Sequence, residues 1–331
     1  MEVNSKQPLL SICIPTYNRA NILDYIISKY VSNQEFNDEI EIVISDNAST
    51  DETSEIAQSY ADRFKNVKYF RNEENIFDKN FIKVLDEASG KYLKLVNDWI
   101  YLPNDALKFM KDRIRENLDT GNNIFFTGHW LDTSFKNESV IHVKGLDQYV
   151  QVVSTLVTSN NMFGVWREDW KQMPDKSRYA AFRLNQVDWS YHLMKIHPNA
   201  ILYNTVLFER SEARKLGRRG GYNWFQVHID YYYQIMKPYR EQGLITDKTY
   251  KKDRDHLLNH FSNELCQVLI HKTDKNFCFE TKGTKAILWK YYKDDAYAYL
   301  FFLFLPFRFC CNYVLGIMRR TKHVFSRLFQ N

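Results

Sequence analysis

Four short apolar runs, separated by stretches with helical spacing, fill residues 9–96 and sharply limit what the chain can fold into. The first run, residues 9–14, ends at Pro15. Ile22, Leu23, Ile26, Ile27 and Tyr30 then recur at the spacing of one helix face. Residues 40–44 form a β-branched run that stops at Ser45-Asp46-Asn47, and Ser49-Thr50-Asp51 supplies residues that favour a helix start. Residues 67–70 read as a third strand and residues 77–88 as an amphipathic helix closed by Gly90. Residues 92–96 read as a fourth strand. Strand and helix alternating in this way predict an α/β fold, a Rossmann-like, mostly parallel sheet flanked by helices on both faces.

Ligands on such a sheet bind beyond the carboxyl ends of the strands. The polar residues there are Pro15-Thr16-Tyr17-Asn18-Arg19, Ser45-Asp46-Asn47, Arg71-Asn72 and Asn97-Asp98. A carboxylate such as Asp46 can accept a hydrogen bond from a ring N–H, and its bland alternative is helix capping. Ser49 to Glu52 fits a capping box, but Asp46 stands several residues before it. Asp98 supplies the hard oxygen that Mg2+ or Mn2+ prefers beside phosphate, although Asn-Asp is also common turn chemistry.

The second half is less regular. Residues 123–127, 160–166 and 201–208 read as strands, and 145–156, 184–195, 222–236 and 247–271 as helices. The chain is expected to hold one compact unit over 1–275, split near 112 into two halves, and a helical, aromatic and basic segment over 276–331.

Composition narrows the class. Hydrophobic residues make up 44% and charged residues 26%, the mix of a globular protein. Five cysteines without a CxxC pair argue against a zinc ribbon or a disulfide framework. No apolar run precedes the first strand, so no secretory leader is expected and the cytosol is the expected compartment. No GxGxxG follows the first strand, which disfavours a dinucleotide dehydrogenase. The net charge of +5 conceals an asymmetry: residues 282–331 hold nine Lys or Arg against two acidic residues, a net +7, which leaves −2 for the rest. With the positive charge confined to the tail and no recognition motif present, nucleic acid is not an expected partner.

Three segments in order carry a resemblance: Ser11-Ile-Cys-Ile-Pro-Thr-Tyr-Asn-Arg19, Ile44-Ser-Asp-Asn-Ala-Ser-Thr-Asp51 and Gly90-Lys-Tyr-Leu-Lys-Leu-Val-Asn-Asp98. Together they resemble the family-2 inverting glycosyltransferases, which have the A-type nucleotide-sugar-binding fold. The match covers about residues 8–112. The resemblance implies a nucleoside-diphosphate sugar donor, expected to be a UDP-sugar, a divalent Mn2+ or Mg2+, and single displacement with inversion. It places Pro15, Thr16 and Asn18 around the nucleoside with Arg19 at the edge, Asp46 on the base, Arg71 beside it, and Asp98 with Asn97 at the ribose and metal-bound diphosphate. There is one departure. The family's Asp-X-Asp signature is replaced here by Asn97-Asp98-Trp99, which leaves a single charged ligand.

Inverting transfer needs a general base for the acceptor hydroxyl. The family carries it at the start of a helix in the second half. Asp188 in Arg183-Leu-Asn-Gln-Val-Asp-Trp-Ser190 matches, with Asp169 as rival and a helix-dipole carboxylate as the bland reading. Asn161, Trp166 and Trp189 are candidate acceptor contacts, with core packing the alternative for both tryptophans. The glycine-rich cationic loop around Arg218 and Arg219 reads either as a lid on the donor diphosphate or as a solvated loop.

Residues 296–305 are an aromatic run about half the ~20 residues a bilayer span needs, followed by Pro306 and Arg308. An interfacial segment on an anionic membrane fits better than a span, the alternative being oligomerisation or core packing. A transferase on the cytoplasmic face of a membrane suggests a saccharide acceptor linked to polyprenyl diphosphate, as in bacterial capsule or O-antigen assembly. The second functional reading is an inactive relative that binds a nucleotide sugar or a partner, motivated by Trp99.

Overall fold

The computed structural model describes residues 7–129, 131–211, 221–271 and 279–307. The strands are β1 (Leu10–Thr16), β2 (Ile40–Asp46), β3 (Val67–Arg71), β4 (Tyr92–Leu95), β5 (Ile100–Tyr101), β6 (Asn123–Gly128), β7 (Val140–Lys144), β8 (Gly164–Trp166), β9 (Asn199–Val206) and β10 (Glu209–Arg210). The helices are α1 (Ala20–Val31), α2 (Thr53–Arg63), α3 (Asn80–Asp86), α4 (Asn104–Glu116), α5 (Gly145–Val153), α6 (Arg167–Gln172), α7 (Asn185–Ile196), α8 (Tyr232–Glu241), α9 (Asp247–His260), α10 (Ser262–Cys266) and α11 (Thr284–Tyr292). Residues 296–307 are helical as well.

The main sheet has the order β3-β2-β1-β4-β8. Its first four strands are parallel and β8 is antiparallel to β4. Every residue of β1, β2 and β4 is buried, as a strand with both faces covered requires. Ile12, Ile14, Leu23, Ile27, Ile42 and Ile44 are among the core residues at 0% exposure. A second sheet has the order β6-β9-β7, and β5 pairs with β10.

Pro15 sits inside β1, where a missing N–H needs an explanation. Hydrogen bonding alternates along the strand: Val96 N donates to the Cys13 carbonyl on the β4 side, and Asn47 N donates to the Thr16 carbonyl on the β2 side. Pro15 shares the sense of Cys13, and pairing with β4 has ended at Cys13–Leu95. Its missing donor therefore falls where no strand asks for it. At the other end of the sheet, a Cβ on Gly90 would lie 2.5 Å from Ser11 Oγ and 2.8 Å from Ser11 N, so only glycine fits between β1 and the start of β4.

Several local expectations change. Ser49 does not cap α2, because its Oγ accepts from Asn18 N at 2.9 Å. Asp51 serves instead, accepting Thr53 N at 3.1 Å and Ala20 N at 3.2 Å, so one carboxylate meets the first N–H groups of α2 and α1. The 77–88 helix is a short 3-10 turn followed by α3. Residues 160–166 are a 3-10 turn, Asn160–Met162, followed by the three-residue β8. The 145–156 helix is α5 continued as a 3-10 turn, the 222–236 helix starts at residue 224 and passes through a π-helical turn, Gln226–Tyr231, into α8, and the 247–271 helix breaks into α9, α10 and a π-helical turn.

The chain clusters into two compact units, Met1–Gly217 with Tyr231–Thr249, and Arg218–Asp230 with Tyr250–Asn331. Residues 250–271 thus group with the C-terminal segment, whereas the sequence placed the division near 275. Arg254 bonded to Asp295, Asn259 to Tyr297 and Cys266 to Leu305 are the ties that hold them there.

Candidate functional site

Register across the main sheet puts Thr16 opposite Asp46, and Asp46 opposite Arg71. These three residues end β1, β2 and β3 in one row. The fourth strand contributes Asp98, whose Oδ2 accepts from Thr16 Oγ1 at 3.0 Å and lies 4.0 Å from Arg19 Nε. Four of the sequence-predicted donor residues therefore converge because parallel strands in register stop together.

Asp46 is 0% exposed. Its Oδ1 accepts from Ser49 N at 2.9 Å, while its Oδ2 accepts from Tyr69 OH at 3.1 Å and from Arg71 Nη1 at 3.2 Å. Arg71 Nη2 also donates to the Ser49 carbonyl at 2.8 Å, and its side chain remains 43% exposed. Burial and the Asp46 carboxylate push the Tyr69 hydroxyl up to about 12. Asp46 is thus closed into the protein, with both oxygens already hydrogen-bonded.

Asn18 holds the neighbouring loops together. It adopts a left-handed backbone, φ 51°, which asparagine tolerates better than most residues. Its N–H meets Ser49 Oγ, and its Oδ1 accepts Thr50 N at 2.7 Å. Arg19 N donates to Thr53 Oγ1 at 3.0 Å.

Behind Asp98 lies a residue that the sequence reading passed over. Lys94 stands in the buried strand β4 at 0% exposure, and its Nζ donates to the carbonyls of Asn161 and of Phe163, the latter at 3.0 Å. Desolvation lowers its pKa from 10.5 to about 7. The turn that it grips returns a bond to the site, because Asn161 Oδ1 accepts Asn97 N at 2.9 Å. Asn161, expected on the acceptor side, is 3% exposed and serves to fix the backbone beside Asp98. A lysine within an otherwise apolar strand run was the available signal.

Asp188 lies in the first turn of α7 at 5% exposure. Its Oδ1 accepts from Arg178 Nη2 at 2.5 Å and from Tyr239 OH at 2.8 Å. Its Oδ2 accepts no hydrogen bond from a described residue. The start of α7 is tied to the 154–158 turn by Gln186 Nε2 donating to the Thr158 carbonyl at 2.6 Å. Arg178 and Tyr239 could not be found from sequence, since they approach Asp188 from a loop and from α8.

Two acceptor candidates are corrected. Trp189 is 1% exposed, packs on Trp170 at 5.0 Å and Phe163 at 5.1 Å, and donates its indole N–H to the Lys176 carbonyl at 2.9 Å. It is a core residue. Trp166 pairs with Tyr92, at the start of β4, because β8 runs antiparallel. That puts it at the opposite end of the strand from Asp98, with its indole N–H on the Asn122 carbonyl. Asp169 follows β8 at that same end, against His197 Nε2 at 3.1 Å, which removes it as the rival base. Arg218 and Arg219 lie outside the described residues.

A divalent ion beside Asp98 would find one carboxylate and the Thr16 hydroxyl 3.0 Å from it, with Asn97 the preceding residue. Mg2+ and Mn2+ sites are commonly built from one or two carboxylates completed by phosphate oxygens and water, so this oxygen set fits such an ion. Trp99 contributes no ligand. Its backbone carbonyl accepts Ser211 N at 2.9 Å, and Arg210 lies over its ring at 5.7 Å.

Residues 11–140 match the family model described as glycosyl transferase family 2. Over this stretch, 130 of 331 residues, the chain is similar to that family. Among similar curated proteins, the abequosyltransferase RfbV of Salmonella typhimurium is 40% identical over 101 residues, 30% of this chain and 29% of its own. The GalNAc(5)-diNAcBac-PP-undecaprenol beta-1,3-glucosyltransferase of Campylobacter jejuni is 34% identical over 111 residues, 33% of this chain and 35% of its own. The chain thus matches about a third of the length of these relatives. The glycosyltransferase fold extends further. Staphylococcus aureus TarS 1–349 in complex with UDP aligns with 81% of this chain and 76% of its own at a TM-score of 0.55 and 17% identity. A Pyrobaculum calidifontis mannosyltransferase in complex with GDP-Man and Mn2+ aligns with 91% of this chain and 86% of its own, at a TM-score of 0.52 and 14% identity. The architecture is the A-type nucleotide-sugar-binding fold.

Proposed function

We propose that this protein transfers a sugar, with inversion, from a nucleoside-diphosphate donor to a saccharide acceptor of bacterial surface polysaccharide assembly. The observation that carries the reading is the convergence of Thr16, Asp46, Arg71 and Asp98 at the strand ends, within the stretch that matches the family. UDP is the first nucleotide to test, because TarS is bound to UDP in its structure. A polyprenyl-diphosphate-linked acceptor is proposed from the undecaprenol-linked substrate in the name of the Campylobacter relative. Both relatives are named as transferases, which disfavours the inactive-relative reading.

In this reading the diphosphate lies beside Asp98 and Asn97, with Thr16 donating to the Asp98 carboxylate and Arg19 at the edge. Asp98 would hold a divalent ion there, and that ion would supply neutralisation of the charge on the departing diphosphate. Arg71, exposed above the buried Asp46, faces the nucleoside. Asp188 acts as the general base. Its Oδ2 takes the proton from the acceptor hydroxyl as that oxygen bonds to the anomeric carbon and the bond to the donor diphosphate breaks. Arg178 and Tyr239 hold Oδ1, so the carboxylate is oriented before the acceptor arrives. The aromatic and basic segment from 276 onward is proposed to keep the protein on the cytoplasmic face of a membrane, where such an acceptor is anchored. Most of its basic residues, Arg308 onward, lie outside the described residues.

The test is thermal stabilisation by UDP, GDP, dTDP and CDP, each with and without Mn2+, followed by a screen of sugar donors. A ligand at a hundred times its dissociation constant adds about 2.7 kcal/mol, which is readily seen as a melting shift. A shift selective for one nucleotide and enhanced by Mn2+ supports the donor site, and no shift with any of them overturns it.

A further inference from the structure

The helix over 296–307 carries no charged residue. One side faces the protein, with Ala298, Phe301 and Leu305 at 5% exposure or less. The other side is Tyr299, Leu300, Leu303, Phe304 and Phe307, each between 53% and 70% exposed. That spacing makes one continuous apolar stripe along the helix. It is not a frayed end. Asp295 accepts Tyr297 N at 3.0 Å and Arg254 Nη2 at 2.8 Å, Asn259 Nδ2 donates to Tyr297 OH at 2.6 Å, and Cys266 Sγ reaches the Leu305 carbonyl at 3.6 Å. A helix apolar on every side belongs in a core or in lipid. At 1.5 Å per residue this one is about 18 Å long, well short of a ~30 Å hydrocarbon core. No helix among the described residues is long and apolar enough to cross a membrane.

Beside the stripe runs an apolar groove of about 210 Å³, lined by Leu288, Trp289, Ala298 and Phe302 among others. Lys285 and Lys293 also line it, and neither forms an ion pair with a described residue. Trp289, at 64% exposure, stands at its edge, where an indole suits the boundary between headgroup and acyl chain.

We propose that this face is a lipid-docking site. The 299–307 stripe lies in the headgroup region of an anionic bilayer, one lipid chain enters the groove between α11 and the 296–307 helix, and Lys285 and Lys293 meet that lipid's phosphate. The net +7 of residues 282–331 is the charge complementarity that selects an anionic lipid over a neutral one or a protein partner. The inference rests on the membrane-associated transferase reading and supplies its contact residues.

The test is flotation of the full chain with vesicles of phosphatidylcholine alone, or with roughly one-third phosphatidylglycerol. Wild type is expected to float with the anionic vesicles only. Leu303→Glu with Phe307→Glu, at exposed positions that the fold does not need, is expected to lower binding tenfold or more. Lys285→Glu with Lys293→Glu is expected to abolish the preference for phosphatidylglycerol. Vesicles with brominated acyl chains are expected to quench tryptophan fluorescence, and Trp289→Phe to remove most of that quenching. Wild type that stays at the bottom of the gradient overturns the proposal. So does the Leu303/Phe307 variant floating like wild type, which would assign binding to residues 308–331 or show them covering the stripe. Undiminished quenching in Trp289→Phe overturns the groove. The nucleotide melting shift is measured in parallel: its retention in the variants shows an intact fold, and its absence in wild type sinks the transferase reading while the flotation result stands.

Discussion

Two buried aspartates, Asp46 and Asp188, are each held by an arginine and a tyrosine, yet they are built for different work. Asp46 is closed. Both its oxygens are engaged, by Ser49 N on one side and by Tyr69 and Arg71 on the other. Asp188 is half open. Arg178 and Tyr239 share its Oδ1, and no described residue donates to Oδ2. A carboxylate with every side occupied organises its surroundings, whereas one oriented through a single oxygen can accept a proton through the other. The contrast supports the proposed division of labour, with Asp46 in the architecture of the strand-end site and Asp188 as the proposed base.

The strongest way to break this contrast is Asp188→Asn. It keeps the shape and removes the base, so turnover is expected to fall about 10²–10⁴-fold. The nucleotide melting shift should persist. Near-normal turnover in that variant would move the base elsewhere. Next in size is Asp98→Asn, expected to weaken nucleotide binding by roughly tenfold or more and to remove any Mn2+ enhancement. If Mn2+ still enhanced the shift in that variant, the ion would not be held by Asp98.

Asp46→Asn sharpens the other half of the contrast. An amide nitrogen would face donors that now point at a carboxylate, at a cost of about 1–3 kcal/mol of stability. Denaturant midpoints would show this, and Asp188→Asn, whose Arg178 is half exposed, should lose less. Equal losses would erase the distinction between closed and open.

The smallest effect concerns Lys94, which supports Asn161 and through it Asn97. Burial depresses its pKa to about 7, so between about 7 and 10.5 the unfolded chain binds more protons than the folded one. Stability should therefore rise with pH across that window, by at most about 1.4 kcal/mol per pH unit for one group. Comparing melting curves of wild type and Lys94→Met from pH 7 to 9 isolates it: the wild type should gain on the variant as pH rises. Parallel curves would mean that the ammonium is not desolvated as the structure indicates.

Legibility followed distance along the chain. Strands β1 to β4 and helix α1 could be read because their apolar periodicity is local, and the row of Thr16, Asp46 and Arg71 followed from strand ends alone. The 160–166 segment was read as one strand because its apolar residues do not show where pairing with β4 begins. Trp166 and Trp189 looked like sugar platforms. An indole on an exposed face and one in a core have the same local sequence, and only the antiparallel direction of β8 and the Trp170–Trp189 packing separated them. Arg178 and Tyr239 lie 10 and 51 residues from Asp188, beyond any spacing rule.

The sequence by itself determined the alternating α/β order, the polar residues at the strand ends and the uncharged helix near the C-terminus, because periodicity and charge placement act over a few residues. The tertiary structure decided which carboxylate is closed and which is open, that Lys94 is buried beneath the site, and which side of the 296–307 helix is left bare. Those outcomes depend on partners far away in the chain, and burial and hydrogen bonding are properties of the packed arrangement rather than of any segment.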